Sequence, residues 1–135
     1  LRDKKEEKMA TILLVDDDPD FVDATKLILE KSKYKVITAS NSEEGWKKAQ
    51  AENPDLILLD VMMESPDAGF QLAYKIRNDK KLKNKPILLL TAIGKVTGFK
   101  FDKKKDEDFL PVEEYIEKPV KPEILLEKIS KALSK

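Results

Sequence analysis

Five short apolar runs punctuate the chain: TILLV (11–15), KVITA (35–39), DLILLD (55–60), PILLLTA (86–92) and EYIEKP (114–119). In LILL and ILLL the apolar residues are successive rather than alternate, the pattern of a strand covered on both faces of a parallel sheet. Stripes at helical spacing lie between them. Phe21, Thr25, Ile28 and Leu29 form the first, and Trp46, Ala49 and Gln50 the second, with Asn41 as N-cap and Glu44 behind it. Leu72, Ile76 and Arg77 follow Gly69, and Leu125, Ile129 and Leu133 make the last stripe. The alternation predicts an α/β fold, a doubly wound five-stranded parallel sheet with helices on both faces. No internal repeat or low-complexity linker interrupts it. Residues 1–9 open with the charged stretch LRDKKEEK and read as a tail, so the folded domain is expected over 10–135.

A chain of 135 residues is the size of one ordinary domain. Such a chain buries roughly 65 to 70% of its unfolded surface and needs no disulfide or structural zinc. The absence of both Cys and His agrees with this, and it removes thiolate chemistry, the common zinc sites and any imidazole base. No apolar run approaches the ~20 residues of a membrane span, and the N-terminus lacks a signal-peptide core, so a cytoplasmic location is expected. Its 26 basic and 26 acidic residues cancel, which argues against nucleic acid or membrane as direct partners.

What remains to carry chemistry is carboxylates, hydroxyls and amines. Ligands of an open parallel sheet sit beyond the carboxyl ends of its strands, where Asp16, Asp17 and Asp60 terminate two apolar runs. Like charges ~4 Å apart repel by ~4 kcal/mol at an effective dielectric of ~20, so a cation should sit among them. Oxygen ligands alone suit Mg²⁺ or Ca²⁺. Two further strand ends supply the Thr91 hydroxyl and the Lys118 ammonium. Together these groups match the needs of phosphoryl transfer to an aspartate, in which metal and lysine neutralise the phosphoryl oxygens. Asp18 is expected to cap the first helix, with Pro19 in its first turn.

From VDDD, LILLDVMM, LLLTA and YIEKP, in that order on successive strand ends, the chain resembles a response regulator receiver domain, with a flavodoxin-like fold, over roughly residues 10–134. The resemblance implies a phosphoprotein of two-component phosphorelay signal transduction rather than an enzyme acting on a separate substrate. It implies Asp60 as phosphoacceptor, with Mg²⁺ held by Asp17 directly, by Asp16 largely through water, by Asp60 and by the main-chain carbonyl of Met62. Thr91 falls at the switch hydroxyl, Lys118 at the phosphate-binding lysine and Tyr115 at the aromatic switch position. Met62 and Ile93 fall where side chains flank the path of the attacking water and tune the lifetime of the phosphoryl group. The implied partners are a histidine kinase or phosphotransfer protein and an output protein. With only LSK after the last stripe, a stand-alone receiver is expected.

Two departures accompany the resemblance. The stretch VMMESPDAG is one residue longer than the usual receiver loop and lacks its customary proline four residues after the aspartate. Between Ile93 and Glu114, where receivers carry their fourth helix, two glycines, a Phe99/Phe101 alternation and Pro111 leave no sustained helical stripe. That helix is expected to be short or replaced by a loop over 94–112, whose order phosphorylation would alter.

Plainer readings stand beside these. Asp16 and Asp17 alone would be a helix-start cluster, Thr91 a β-branched strand residue, and Tyr115, Met62, Met63 and Trp46 packing residues. Lys103 to Lys105 read as a solvated loop. An EF-hand loop fails because Phe21 stands where glycine is required and Leu27 where the bidentate glutamate belongs. An aspartate-based phosphohydrolase of the haloacid dehalogenase type would share Asp16 and Asp18, but Asp20 occupies its Thr or Val position and ILLLTA carries no second acidic pair. A degenerate receiver acting only as a binding module is the remaining alternative.

Overall fold

The computed structural model describes residues 9–92 and 112–134. Five strands, β1 (Thr11–Val15), β2 (Lys35–Ala39), β3 (Leu56–Asp60), β4 (Ile87–Ala92) and β5 (Glu114–Lys118), form one parallel sheet in the order β2-β1-β3-β4-β5. Four described helices, numbered in chain order, cover it: α1 (Pro19–Lys31), α2 (Ser42–Glu52), α3 (Ala68–Arg77) and α4 (Pro122–Leu133). The tail before Met9, all but Val112 of the segment 94–112 expected to reorganise, with Lys103 to Lys105 in it, and Ile93 fall outside the described residues. No described helix is long and apolar enough to cross a membrane.

Strand alternation sorts the core into two layers. Ile12, Leu14, Leu56, Leu58, Leu88 and Leu90 face α1 and α4, against Leu29, Leu125 and Ile129. Leu13, Val15, Ile57, Leu59, Ile87 and Leu89 face α2 and α3, against Ala49, Leu72, Ala73 and Ile76. Because both faces of β1 and β3 are covered, their apolar side chains are fully buried, which is why the sequence shows runs rather than alternation. The edge strands β2 and β5 are only partly buried.

Local chemistry sets the helix starts. Asp18 accepts hydrogen bonds from the amides of Asp20 and Phe21 at 3.1 and 3.4 Å, with Pro19 in the first turn. Asn41 accepts from the Glu44 amide at 2.8 Å. The Glu44 carboxylate reaches one residue further back than a simple capping box, to the amide and hydroxyl of Ser40 at 2.8 and 3.0 Å. In α2 the buried stripe is Gly45 and Ala49, while Gln50 is exposed, contrary to the pattern expected from the sequence. The Gly45 Cα lies so close to Val15 and Leu72 that an added Cβ would stand 3.1 Å from both side chains, so a missing side chain rather than an apolar one brings α2 onto the sheet. Arg77, placed by its spacing on the α3 stripe, instead ties loops together: its guanidinium donates to the carbonyls of Lys83 and Lys85 at 3.0 and 2.5 Å and pairs with Glu113 at 2.6 Å.

The turn from β3 into α3 closes at Gly69, whose amide donates to the Val61 carbonyl at 2.8 Å. A Cβ on Gly69 would lie 2.2 Å from the Asp60 carbonyl oxygen and 2.7 Å from the Val61 Cα. Both neighbours are backbone, so neither can swing away. Gly69→Ala should therefore cost about 3 kcal/mol, the upper range for overpacking, read as a lowered urea midpoint with an unchanged slope.

Candidate functional site

The strand order reverses at β1, whose chain leaves to β2 on one side and returns to β3 on the other. A crevice opens at such a point beyond the carboxyl ends of the strands, and Asp16, Asp17 and Asp60 sit there. Oxygens of the three carboxylates lie within 4.8 Å of one another. Asp16 and Asp60 are buried, whereas Asp17 is exposed. The fourth group is Lys118, at the end of β5. Its ammonium is 2.8 Å from Asp16 Oδ2 and 3.6 Å from Asp60 Oδ1, and it stands over the Phe21 ring at 4.2 Å from the centroid.

The three carboxylates differ in how they are occupied. Asp16 is engaged through both oxygens, Oδ2 by Lys118 and Oδ1 by the Asp18 amide at 3.0 Å. Asp17 accepts no hydrogen bond from any described residue, so its carboxylate is available to an ion. Asp60 is raised from 3.8 to about 7, chiefly because burial disfavours its charge and next because Asp16 repels it, with Lys118 opposing. A carboxylate held away from its usual ionisation by burial and by a like charge, among donors that are all oxygens, fits a hard divalent cation. Met62, just past the strand, offers a main-chain carbonyl that accepts no hydrogen bond from a described residue, while its side chain packs against the α2–α3 layer. A cavity of about 290 Å³ opens beside the acidic groups, lined among others by Asp17, Asp23, Ser40 and Glu44.

This arrangement sits within a recognisable sequence. The profile of the response regulator receiver domain matches residues 12–130. The chain belongs to that family. It is 41% identical over 118 residues to the alkaline phosphatase synthesis transcriptional regulatory protein PhoP of Bacillus subtilis, covering 82% of this chain and 43% of PhoP. This receiver thus spans less than half the length of that relative. It is 31% identical over 126 residues to protein PilH of Pseudomonas aeruginosa, covering 93% of this chain and 99% of PilH. Among solved structures, the chemotaxis response regulator CheY4 of Vibrio cholerae superposes with a TM-score of 0.79 at 28% identity, covering 93% of this chain and 99% of that one. A CheY-like receiver of Methanospirillum hungatei gives 0.77 at 31% identity, covering 94% and 95%.

Thr91 and Tyr115 lie on the strands towards the other face. Thr91, next to last in β4, is in phase with Ile87 and Leu89, and its buried hydroxyl bonds to no described residue. Tyr115 pairs with Leu89 and packs against the same α2–α3 layer. The receiver thus brings Asp16, Asp17, Asp60 and Lys118 into direct array and places Thr91 and Tyr115 together on the opposite side of the sheet. Sequence reasoning took Phe21 as packing alone and missed its second role under Lys118. It also missed Glu64, four residues after Asp60, whose carboxylate accepts the Ser42 amide at 3.2 Å and the Ser42 hydroxyl. The absence of the loop's expected proline was the one available signal.

The shifted Asp60 predicts a pH dependence for the metal-free receiver. Between its unfolded value near 3.8 and its folded value of about 7, the native state holds a proton that the unfolded chain has released. Stability should fall as pH rises through that window and level off above it. Asp60→Asn removes the proton and should flatten this slope, measured by urea denaturation at a series of pH values in the presence of a chelator.

Proposed function

We propose that this receiver is a phosphoacceptor that takes a phosphoryl group from a histidine kinase or phosphotransfer protein onto Asp60, with Mg²⁺ as cofactor, and thereby switches a protein-binding surface. The observation that carries the reading is the array of Asp16, Asp17 and Asp60 within 4.8 Å with Lys118 already seated between two of them. Asp17, Asp60 and the Met62 carbonyl would hold the ion directly, and Asp16 through water. Bound there, Mg²⁺ supplies positive charge that favours ionised Asp60 and balances phosphoryl oxygens.

Asp60 attacks phosphorus through a carboxylate oxygen. The new P–O bond forms as the donor's P–N bond breaks, and the imidazole nitrogen departs with the electron pair and takes a proton from solvent. Lys118 lies 3.6 Å from that oxygen and can donate to the transferred group. Thr91 carries a buried hydroxyl on the strand beside Asp60, available as a donor when the end of β4 shifts. A shift there bears on Tyr115 through the shared layer, which makes β4, β5 and what lies between them the surface that reports phosphorylation. On this reading the receiver domain covers 10–135, the protein is cytoplasmic, and its partners are a histidine kinase or phosphotransfer protein and an output protein.

Incubation with acetyl phosphate and Mg²⁺, read by intact mass, should yield one stable phosphoryl adduct. Asp60→Asn, nearly isosteric but unable to form an acyl phosphate, should yield none while keeping its fold by circular dichroism. Turnover without an adduct would indicate a phosphohydrolase, and neither product nor adduct a binding module alone.

The lifetime of the adduct follows from two apolar neighbours. Met62 and, by sequence, Ile93 cannot hydrogen-bond an attacking water, so loss of the phosphoryl group should be slow. Met62→Asn introduces one such bond and should accelerate loss about tenfold, as one hydrogen bond permits. The decay of purified adduct, followed by mass, checks this.

A further inference from the structure

The loop that carries Met62 runs from Val61 to Asp67 between two fixed points, the end of β3 and Gly69 in the first turn of α3. Its middle is held elsewhere. Glu64 accepts the Ser42 amide at 3.2 Å through one carboxylate oxygen and the Ser42 hydroxyl through the other. Ser42 is the first residue of α2, and its amide is among those that a helix cannot satisfy internally. Asn41 already takes the Glu44 amide, so the two side chains satisfy two of the orphan donors at this end. A carboxylate is also favoured there by the helix dipole. The link spans two segments near the site: the β2–α2 connection and the first turn of α2 place Ser40 and Glu44 in the wall of the acidic cavity, and the β3–α3 loop carries Met62 just after Asp60.

From this we infer that Glu64 is a positioning residue for the cation site: its clamp onto Ser42 fixes the β3–α3 loop, and with it the Met62 carbonyl that the proposed ion would use. The inference rests on the proposed Mg²⁺ site. Proline at this position would fix the loop by restricting its own backbone. Here a two-point hydrogen bond to a neighbouring helix does the same from outside. The clamp joins the loop to α2 rather than to the strands, so the geometry of a ligand carbonyl depends on where α2 sits. Removing it leaves Asp16, Asp17, Asp60 and Lys118 on their strand ends and frees only the carbonyl ligand.

Mg²⁺ titrations of the intact chain by calorimetry test this with four variants whose fold is checked by urea denaturation. Glu64→Ala should weaken Mg²⁺ binding roughly tenfold, the lower range for loss of a group that orients a metal ligand. Ser42→Ala, which removes the hydroxyl but keeps the amide, should weaken it by a smaller factor. Glu64→Pro should restore most of the affinity by fixing the loop in a different way, a rescue that lost stability alone would not produce. Glu64→Gln retains one acceptor and should fall between Ala and wild type. Unchanged affinity in a folded Glu64→Ala protein, or a Glu64→Pro protein as weak as Glu64→Ala, overturns the clamp while leaving the site reading intact. A wild type that binds no Mg²⁺ overturns the site reading and the clamp with it.

Discussion

Three carboxylates converge on one ammonium at the end of an otherwise apolar sheet, and the rest of the architecture answers to that imbalance. Two of them, Asp16 and Asp60, are buried beside strands whose side chains are wholly removed from water. At this depth burial itself disfavours charge and the repulsion of Asp16 adds to it, as the upward shift of Asp60 records. Lys118 offsets part of it and is itself held by Asp16 and the Phe21 ring. The cluster remains net negative, since three carboxylates face a single positive side chain. A site poised in this way gains by taking up cationic charge, and Lys118, already placed between two carboxylates, is positioned to follow whatever charge arrives.

Holding such a site requires that its strands be immovable and its loops adjustable. The central strands meet the first need by burying apolar residues on both faces. The connecting loops add polar ties to their apolar packing. Gly69 lets α3 approach the backbone of Asp60 and Val61. Arg77 and Glu113 bind the approach to β4 to the approach to β5, with Glu113 also accepting the Ile87 amide at 2.8 Å. Glu64 joins the β3–α3 loop to α2. Each tie links segments distant in sequence, and each costs far less to rearrange than a buried strand. Tyr115 packs into the α2–α3 layer beside Leu89, and Thr91 follows Leu89 in phase on the neighbouring strand.

The sequence by itself determined the elements, because each depends on contacts within a few residues. The successive apolar residues of LILL and ILLL specified doubly covered strands, and Asp18 and Asn41 specified helix starts by bonding amides two or three residues ahead. It also placed Asp16, Asp17, Asp60 and Lys118 at strand ends, and so near one another once the sheet was assumed parallel. The sequence misjudged Gln50 and overlooked Gly45, since helical spacing locates a stripe but a residue with no side chain leaves no apolar mark. Only the tertiary structure decided what is made across the chain. The bond from Lys118 to Asp16 spans 102 residues and crosses from β5 to β1, strands that are not neighbours in the sheet. The stacking of Phe21 beneath that lysine and the grip of Glu64 on Ser42 likewise depend on how strands and helices are ordered in space. Local propensity carries no information about such pairings; strand order and the packing of the two helical layers fix them.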